Sequence, residues 1–263
     1  MLKYCSIGSG SSGNCHVVTY KDTGILVDAG LAGKTITSGI QQADFDIEKI
    51  RGIFITHEHS DHIKGAGIMS RKLDIPIYAN LKTWCSMKDK IGNITEENMV
   101  VFDNDKTYVL GDLTIRPFSI PHDSEDAVGY NIYSEKEKMS IATDIGYITE
   151  NIRKNVKGSK LVVLESNYDP NMLMMGSYSY ALKKRVMSEG GHLSNEEAAS
   201  FCIELVEGGT ESILLAHLSK ENNFPELAYA TSKNVLTKNN MIIGKDLILD
   251  VLSRDKVSKV YEL

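Results

Sequence analysis

The stretch Ile53-Phe54-Ile55-Thr56-His57-Glu58-His59-Ser60-Asp61-His62 closes an apolar run with three histidines and an aspartate in six residues. The apolar part reads as a strand. At its exit His57 and His59, two apart, put both rings on one side of an extended backbone, where they can grip one metal ion. Asp61 and His62 follow as the chain turns into a helix, and their side chains can swing toward a second ion nearby. A solvated polar loop is the bland alternative. Against it, three histidines beside a buried strand carry a desolvation cost that a bound ion relieves.

Three further residues end apolar, strand-like segments: His122 after 116–121, Asp144 after 139–143 and His217 after 213–216. Mixed sheets gather ligand-binding groups at strand ends, so these three can converge on the histidine loop. Asp144 is the natural bridge, because its two carboxylate oxygens can each meet one ion at a separation of roughly 3.5–4 Å. His16, inside the strand-like segment 15–20, has no ligand set around it and reads as a packed or exposed histidine. The segment Glu189-Gly190-Gly191-His192-Leu193-Ser194-Asn195-Glu196-Glu197 reads as a loop opening a helix, with Ser194 and Glu197 as a capping box. His192 then lies where free backbone N–H groups and the helix dipole favour an anion such as phosphate. A histidine there can also protonate a leaving oxygen.

Working outward, 263 residues with 42% hydrophobic and 24% charged content, 21 Gly and 5 Pro exclude a disordered, collagenous or low-complexity chain. One domain spanning 1–263 is the simplest division. Strand-like runs at 3–7, 15–20, 24–28, 50–56, 75–79, 100–102, 108–110, 113–120, 127–133, 138–143, 160–165 and 212–216 alternate with helical stretches near 34–42, 63–72, 82–91, 178–188, 195–206 and 225–236. Gly111-Asp112 reads as a hairpin turn. This pattern predicts two mixed sheets packed on each other with helices outside. The net charge of −6 rules out a strongly basic nucleic-acid coat but leaves a local patch open, such as Lys183-Lys184-Arg185 with Tyr178 and Tyr180, which a solvated helix face explains equally well. Residues 8–13, rich in Gly and Ser, read either as a hairpin loop or as exposed amides for a phosphate. Cys5, Cys15, Cys85 and Cys202 have no CxxC spacing and read as reduced thiols. No apolar stretch reaches membrane-spanning length and the first residues lack an export signal's apolar centre, so the expectation is a cytoplasmic protein with no membrane partner.

His57-Glu58-His59-Ser60-Asp61-His62, with His122, Asp144 and His217 in order, resembles the metallo-β-lactamase-fold hydrolases across nearly the whole chain. The resemblance implies an α/β fold, the four-layer αββα sandwich. It also implies a first ion on His57, His59 and His122, a second on Asp61, His62 and His217, and Asp144 bridging. Val27-Asp28-Ala29-Gly30 resembles a strand-end aspartate that braces the metal loop, making Asp28 support rather than ligand. Lactamases of this fold usually lack the second histidine of the Asp-His pair, which is present here as His62; flavo-diiron relatives carry Glu where His59 stands. The His192 loop, Leu164-Glu165-Ser166-Asn167-Tyr168-Asp169 and Leu215-Ala216-His217-Leu218-Ser219 are similar to parts of transfer-RNA 3′-processing nucleases, without their extended RNA-gripping arm. With Ser6-Ile7-Gly8-Ser9-Gly10-Ser11-Ser12-Gly13-Asn14 added, the chain looks most like the compact bacterial YycJ (WalJ) group, regarded as exonucleases acting on DNA.

The expected chemistry is phosphodiester hydrolysis, 5′ to 3′ by this resemblance, by a hydroxide that two divalent ions activate. Asp61 would orient it, His192 would stabilise or protonate the departing oxygen, and Glu165 and Ser194 would support the site. Zinc suits the histidines, and manganese or iron is allowed by the carboxylates. DNA is the favoured substrate and RNA the second. Two rival readings stand: a small thioester, ester or lactone hydrolase of the same fold, and a non-catalytic metal-dependent accessory protein.

Overall fold

In the computed structural model, which describes residues 1–263, fourteen strands and nine α-helices follow in order. The first half holds β1 (Lys3–Gly8), β2 (Cys15–Tyr20), β3 (Thr23–Val27), α1 (Gly33–Gln42), β4 (Ile50–Phe54), α2 (Ser60–Ile63), α3 (Ala66–Leu73), β5 (Ile77–Asn80), α4 (Leu81–Met87) and β6 (Met99–Phe102). The second holds β7 (Tyr108–Leu110), β8 (Leu113–Ser119), β9 (Val128–Tyr133), β10 (Lys138–Ala142), α5 (Glu150–Val156), β11 (Leu161–Glu165), α6 (Pro170–Met175), α7 (Tyr180–Val186), α8 (Asn195–Glu207), β12 (Ser212–Ala216), α9 (Pro225–Lys238), β13 (Ile248–Val251) and β14 (Tyr261–Glu262).

The strands form two seven-stranded sheets, ordered β14-β1-β2-β3-β4-β5-β6 and β13-β12-β11-β10-β9-β8-β7. Each sheet begins as an antiparallel meander and continues as parallel strands, the change falling at β3/β4 in one and β10/β11 in the other. The short apolar runs fit the parallel part. Along β11 and β12, Leu161, Val163, Leu214 and Ala216 face the space between the sheets, while Val162, Leu164, Ile213 and Leu215 face the outer helices. Both faces are buried, so these strands read as continuous apolar runs rather than alternating ones. Between the sheets, Phe54 stacks on Tyr78 at 4.4 Å and meets Tyr130 edge-on at 5.8 Å; such pairs add about 0.5–1.5 kcal/mol each beyond their burial. Helices α1, α3 and α4 cover the first sheet with Ile36, Ile40, Met69 and Trp84, and α5, α8 and α9 cover the second with Ile152, Phe201, Leu205 and Leu236. This is the expected αββα sandwich.

Boundaries differ where packing outweighs pattern. The helix expected over 63–72 is split into α2 and α3, because Gly65 donates its N–H to Ala29 O. Helices α5 and α6 and the edge strands β13 and β14 carry no period that singles them out, being seven residues or fewer. No helix is long and apolar enough to cross a membrane. All four cysteines are free, and only Cys85 is exposed.

Candidate metal centre and active site

Strand β4 ends at Phe54, so His57 and His59 lie past the strand rather than on it, His59 keeping extended backbone. An irregular turn brings them together instead, His57 Nε2 lying 3.1 Å from His59 Nδ1. His59 caps α2, whose first turn carries Asp61 and His62. His122, after β8, completes the first group, its ring 4.9 Å from that of His57 and 5.1 Å from that of His59. His122 Nδ1 lies 3.2 Å from Gly191 O, which turns Nε2 into the site.

Around the other end, His62 Nδ1 lies 2.7 Å from Asp28 Oδ2, and its Nε2 faces Asp61 Oδ2 at 3.5 Å and Asp144 Oδ2 at 3.4 Å. His217 Nε2 lies 3.7 Å from Asp61 Oδ2. Asp144 stands between the groups, its Oδ1 3.7 Å from His122 Nε2 and 3.4 Å from His217 Nδ1. Ligand atoms of His57, His59 and His122, of His57, His62 and Asp144, and of Asp61, His62 and His217 each lie within 4.8 Å of one another. Within this cluster His122 Nε2, Asp144 Oδ2 and His217 Nε2 are buried without a hydrogen-bond partner. A buried polar atom left unpaired costs about 1–3 kcal/mol. Imidazole and carboxylate atoms orphaned together are a donor set that fits divalent cations.

The protonation pattern has the same origin. Burial pulls His57 well below the usual imidazole range, and the neighbouring His62 and His122 add to it. Burial also lowers His122. It opposes charge on His62 and His217 too, but Asp28 and Asp144 around the first, and Asp144, Asp61 and Glu165 around the second, win: His62 is raised and His217 pushed up to about 10. Asp61, despite partial burial, is held well below the carboxylate range by His62 and His217. The protons retained on histidines offset a surplus of carboxylate charge that a cation can also offset.

Supporting side chains fix these groups. Asp28 accepts from Thr56 N–H at 2.8 Å, from Thr56 Oγ1 and from His62 Nδ1, which leaves His62 Nε2 for the site. Fully buried Glu165 accepts from Ile145 N–H at 2.7 Å and Leu193 N–H at 3.1 Å through one oxygen, and reaches His192 Nδ1 at 2.9 Å and His217 Nδ1 at 2.8 Å through the other. His192 is one-fifth exposed at the rim, and Glu165 raises it against the effect of burial. Ser194 is the N-cap of α8 in a full capping box with Glu197, one step removed from the cluster. His16 is packed in the core, its Nδ1 2.8 Å from Tyr4 Oη.

Asn14, Thr56, Glu58 and Asn167 were not legible as site residues. Asn14 Nδ2 lies 3.1 Å from His62 Nε2, Glu58 Oε1 accepts from Glu125 N–H, and Asn167 Nδ2 donates to His217 O. Each contact joins distant segments, so a place within a quoted motif did not single these four out. In the 8–13 loop the amides of Ser9, Gly10 and Gly13 are spent on Ser253 O, Asn14 Oδ1 and Gly10 O, which braces the loop.

The beta-lactamase superfamily domain model matches residues 23–217. The chain is 38% identical over 244 residues to Exodeoxyribonuclease YycJ of Bacillus anthracis, covering 93% of this chain and 92% of that protein. It is 37% identical over 264 residues to Exodeoxyribonuclease WalJ of Streptococcus pneumoniae, covering 100% and 98%. The metallo-beta-lactamase fold protein YhfI from Bacillus subtilis superposes with a TM-score of 0.73 over 98% of both chains at 17% identity, a likeness of fold alone. Sequence and architecture agree: the chain belongs to the beta-lactamase superfamily and, within it, to the family of the YycJ and WalJ proteins.

Proposed function

We propose that this chain is a metal-dependent phosphodiesterase, a DNA exonuclease working 5′ to 3′, that holds two divalent ions with His57, His59 and His122 on one side, Asp61, His62 and His217 on the other, and Asp144 between. The observation that carries the reading is the convergence of five histidines and two aspartates from four loops on one buried point, three of their atoms unpartnered. The identity to proteins named exodeoxyribonucleases supports the substrate class. Zinc or manganese bound there would supply Lewis acidity and a water of lowered pKa. Asp61, its carboxylate held between His62 and His217, accepts a hydrogen bond from the attacking water and orients it. His192, kept protonated by Glu165, offers its Nε2 proton to the departing oxygen.

The test is digestion of end-labelled single-stranded and duplex DNA and RNA with manganese, zinc or chelator, beside Asp61→Ala and His192→Ala. The reading expects metal-dependent release of nucleotides from the 5′ end of DNA, lost in both variants. Two bound ions without nucleotide release would move the function to the thioester, ester or lactone hydrolases of this fold. Binding of DNA without turnover would leave an accessory protein.

A further inference from the structure

Beside His192 lies an open pocket of about 150 Å³. One wall is the segment that runs into α7, contributing half-buried Tyr178 together with Leu182 and Val186. The β12–α9 loop contributes Ser219 and Asn222, Asn222 lying against Gly176. Asn222 is 1% exposed, and neither its side-chain nitrogen nor its oxygen has a hydrogen-bond partner. A buried amide with both donor and acceptor unpaired calls for a ligand that presents both, as the edge of a nucleobase does. Apart from His192, the charged groups on the pocket, Arg185 and Asp123, are paired with each other. A phosphate group would find only His192 there, which the reading above commits to the departing oxygen, whereas a neutral, polar, flat ring finds Tyr178 and two aliphatic side chains.

We propose that this pocket receives the base of the terminal nucleotide of a single strand, the nucleotide whose oxygen departs at His192. Tyr178 stacks on the base and Asn222 bonds its edge. The inference rests on the exonuclease reading above and adds the element that would make the enzyme act at an end, one nucleotide at a time.

The test compares two single-stranded DNAs, 5′-end-labelled and identical except that one ends in a thymidine nucleotide and the other in an abasic residue. Wild type, Tyr178→Ala and Tyr178→Phe are assayed with manganese. Wild type is expected to release the thymidine nucleotide about 5- to 100-fold faster than the abasic one, as loss of base stacking predicts. Tyr178→Ala should bring the ratio near one, and Tyr178→Phe should keep it. Equal release of both ends by wild type, or an unchanged ratio in Tyr178→Ala, overturns the base pocket and leaves the exonuclease reading standing. No release from either strand overturns that reading, and the pocket's role falls with it.

Discussion

In the first sheet Asp28 follows the last antiparallel strand, β3, and in the second Asp144 follows β10, each beside a parallel neighbour. Both aspartates adopt left-handed backbone, φ 59° and 58°, and two residues on each is followed by a glycine where any side chain would strike a carbonyl, of Asp61 behind Gly30 and of Glu189 behind Gly146. The backbone device is the same, but the carboxylates differ. Asp28 reaches across to the next strand's exit and is saturated by Thr56 and His62. At the second sheet the reach is reversed: Glu165, at the end of β11, takes the amide of Ile145 beside Asp144. That frees Asp144, whose Oδ2 has no hydrogen-bond partner and faces His62. Which acid does the tying decides whether the turn aspartate braces a histidine or is left to meet an ion.

Four outcomes would break or sharpen this contrast. Asp144→Ala should remove metal and lower nuclease turnover by more than about a thousandfold, since it deletes an atom set facing both groups; metal content by elemental analysis alongside digestion checks it. His192→Ala should lower turnover by about 10²–10⁴-fold while metal content stays near wild type. Equal metal loss in these two variants would refute the division between a residue that holds ions and one that moves a proton. Asp28→Asn, which keeps the partners on Thr56 but disturbs the orientation of His62, should weaken metal affinity by about 10- to 100-fold, measured by chelator competition. If it costs as much as Asp144→Ala, the two aspartates are not different in kind.

The last effect touches stability alone and lies in the core beside the Asp28 half. Burial lowers His16 to about 3, so the unfolded chain takes up its proton first as pH falls below about 6.5. Its contribution is intact above that pH and is lost on the way down to about 3, at up to about 1.4 kcal/mol per pH unit. His16→Gln should flatten the acid limb of a stability–pH curve by as much as one proton, read from urea denaturation of wild type and variant.

The architecture was legible because strand exits bear the chemistry: His122, Asp144 and His217 each end an apolar run, and His57 to His62 form a local motif. The capping box at Ser194 was legible for the same reason, being local. The closeness of His57 and His59 was legible, but not that the strand stops at Phe54 and an irregular segment carries both rings. Asn14 and Thr56 were hidden because a serine- and glycine-rich loop and a strand-end threonine are ordinary until His62 is laid against the one and Asp28 against the other. The equivalence of Asp28 and Asp144 needed the two sheets side by side.

Anomalous diffraction from crystals loaded with manganese tests the central claim most directly. The account predicts two peaks per chain, one among His57, His59 and His122 and one among Asp61, His62 and His217, with Asp144 contacting both and Asp28 neither. A single ion away from Asp144, or an ion bound by Asp28, would contradict it.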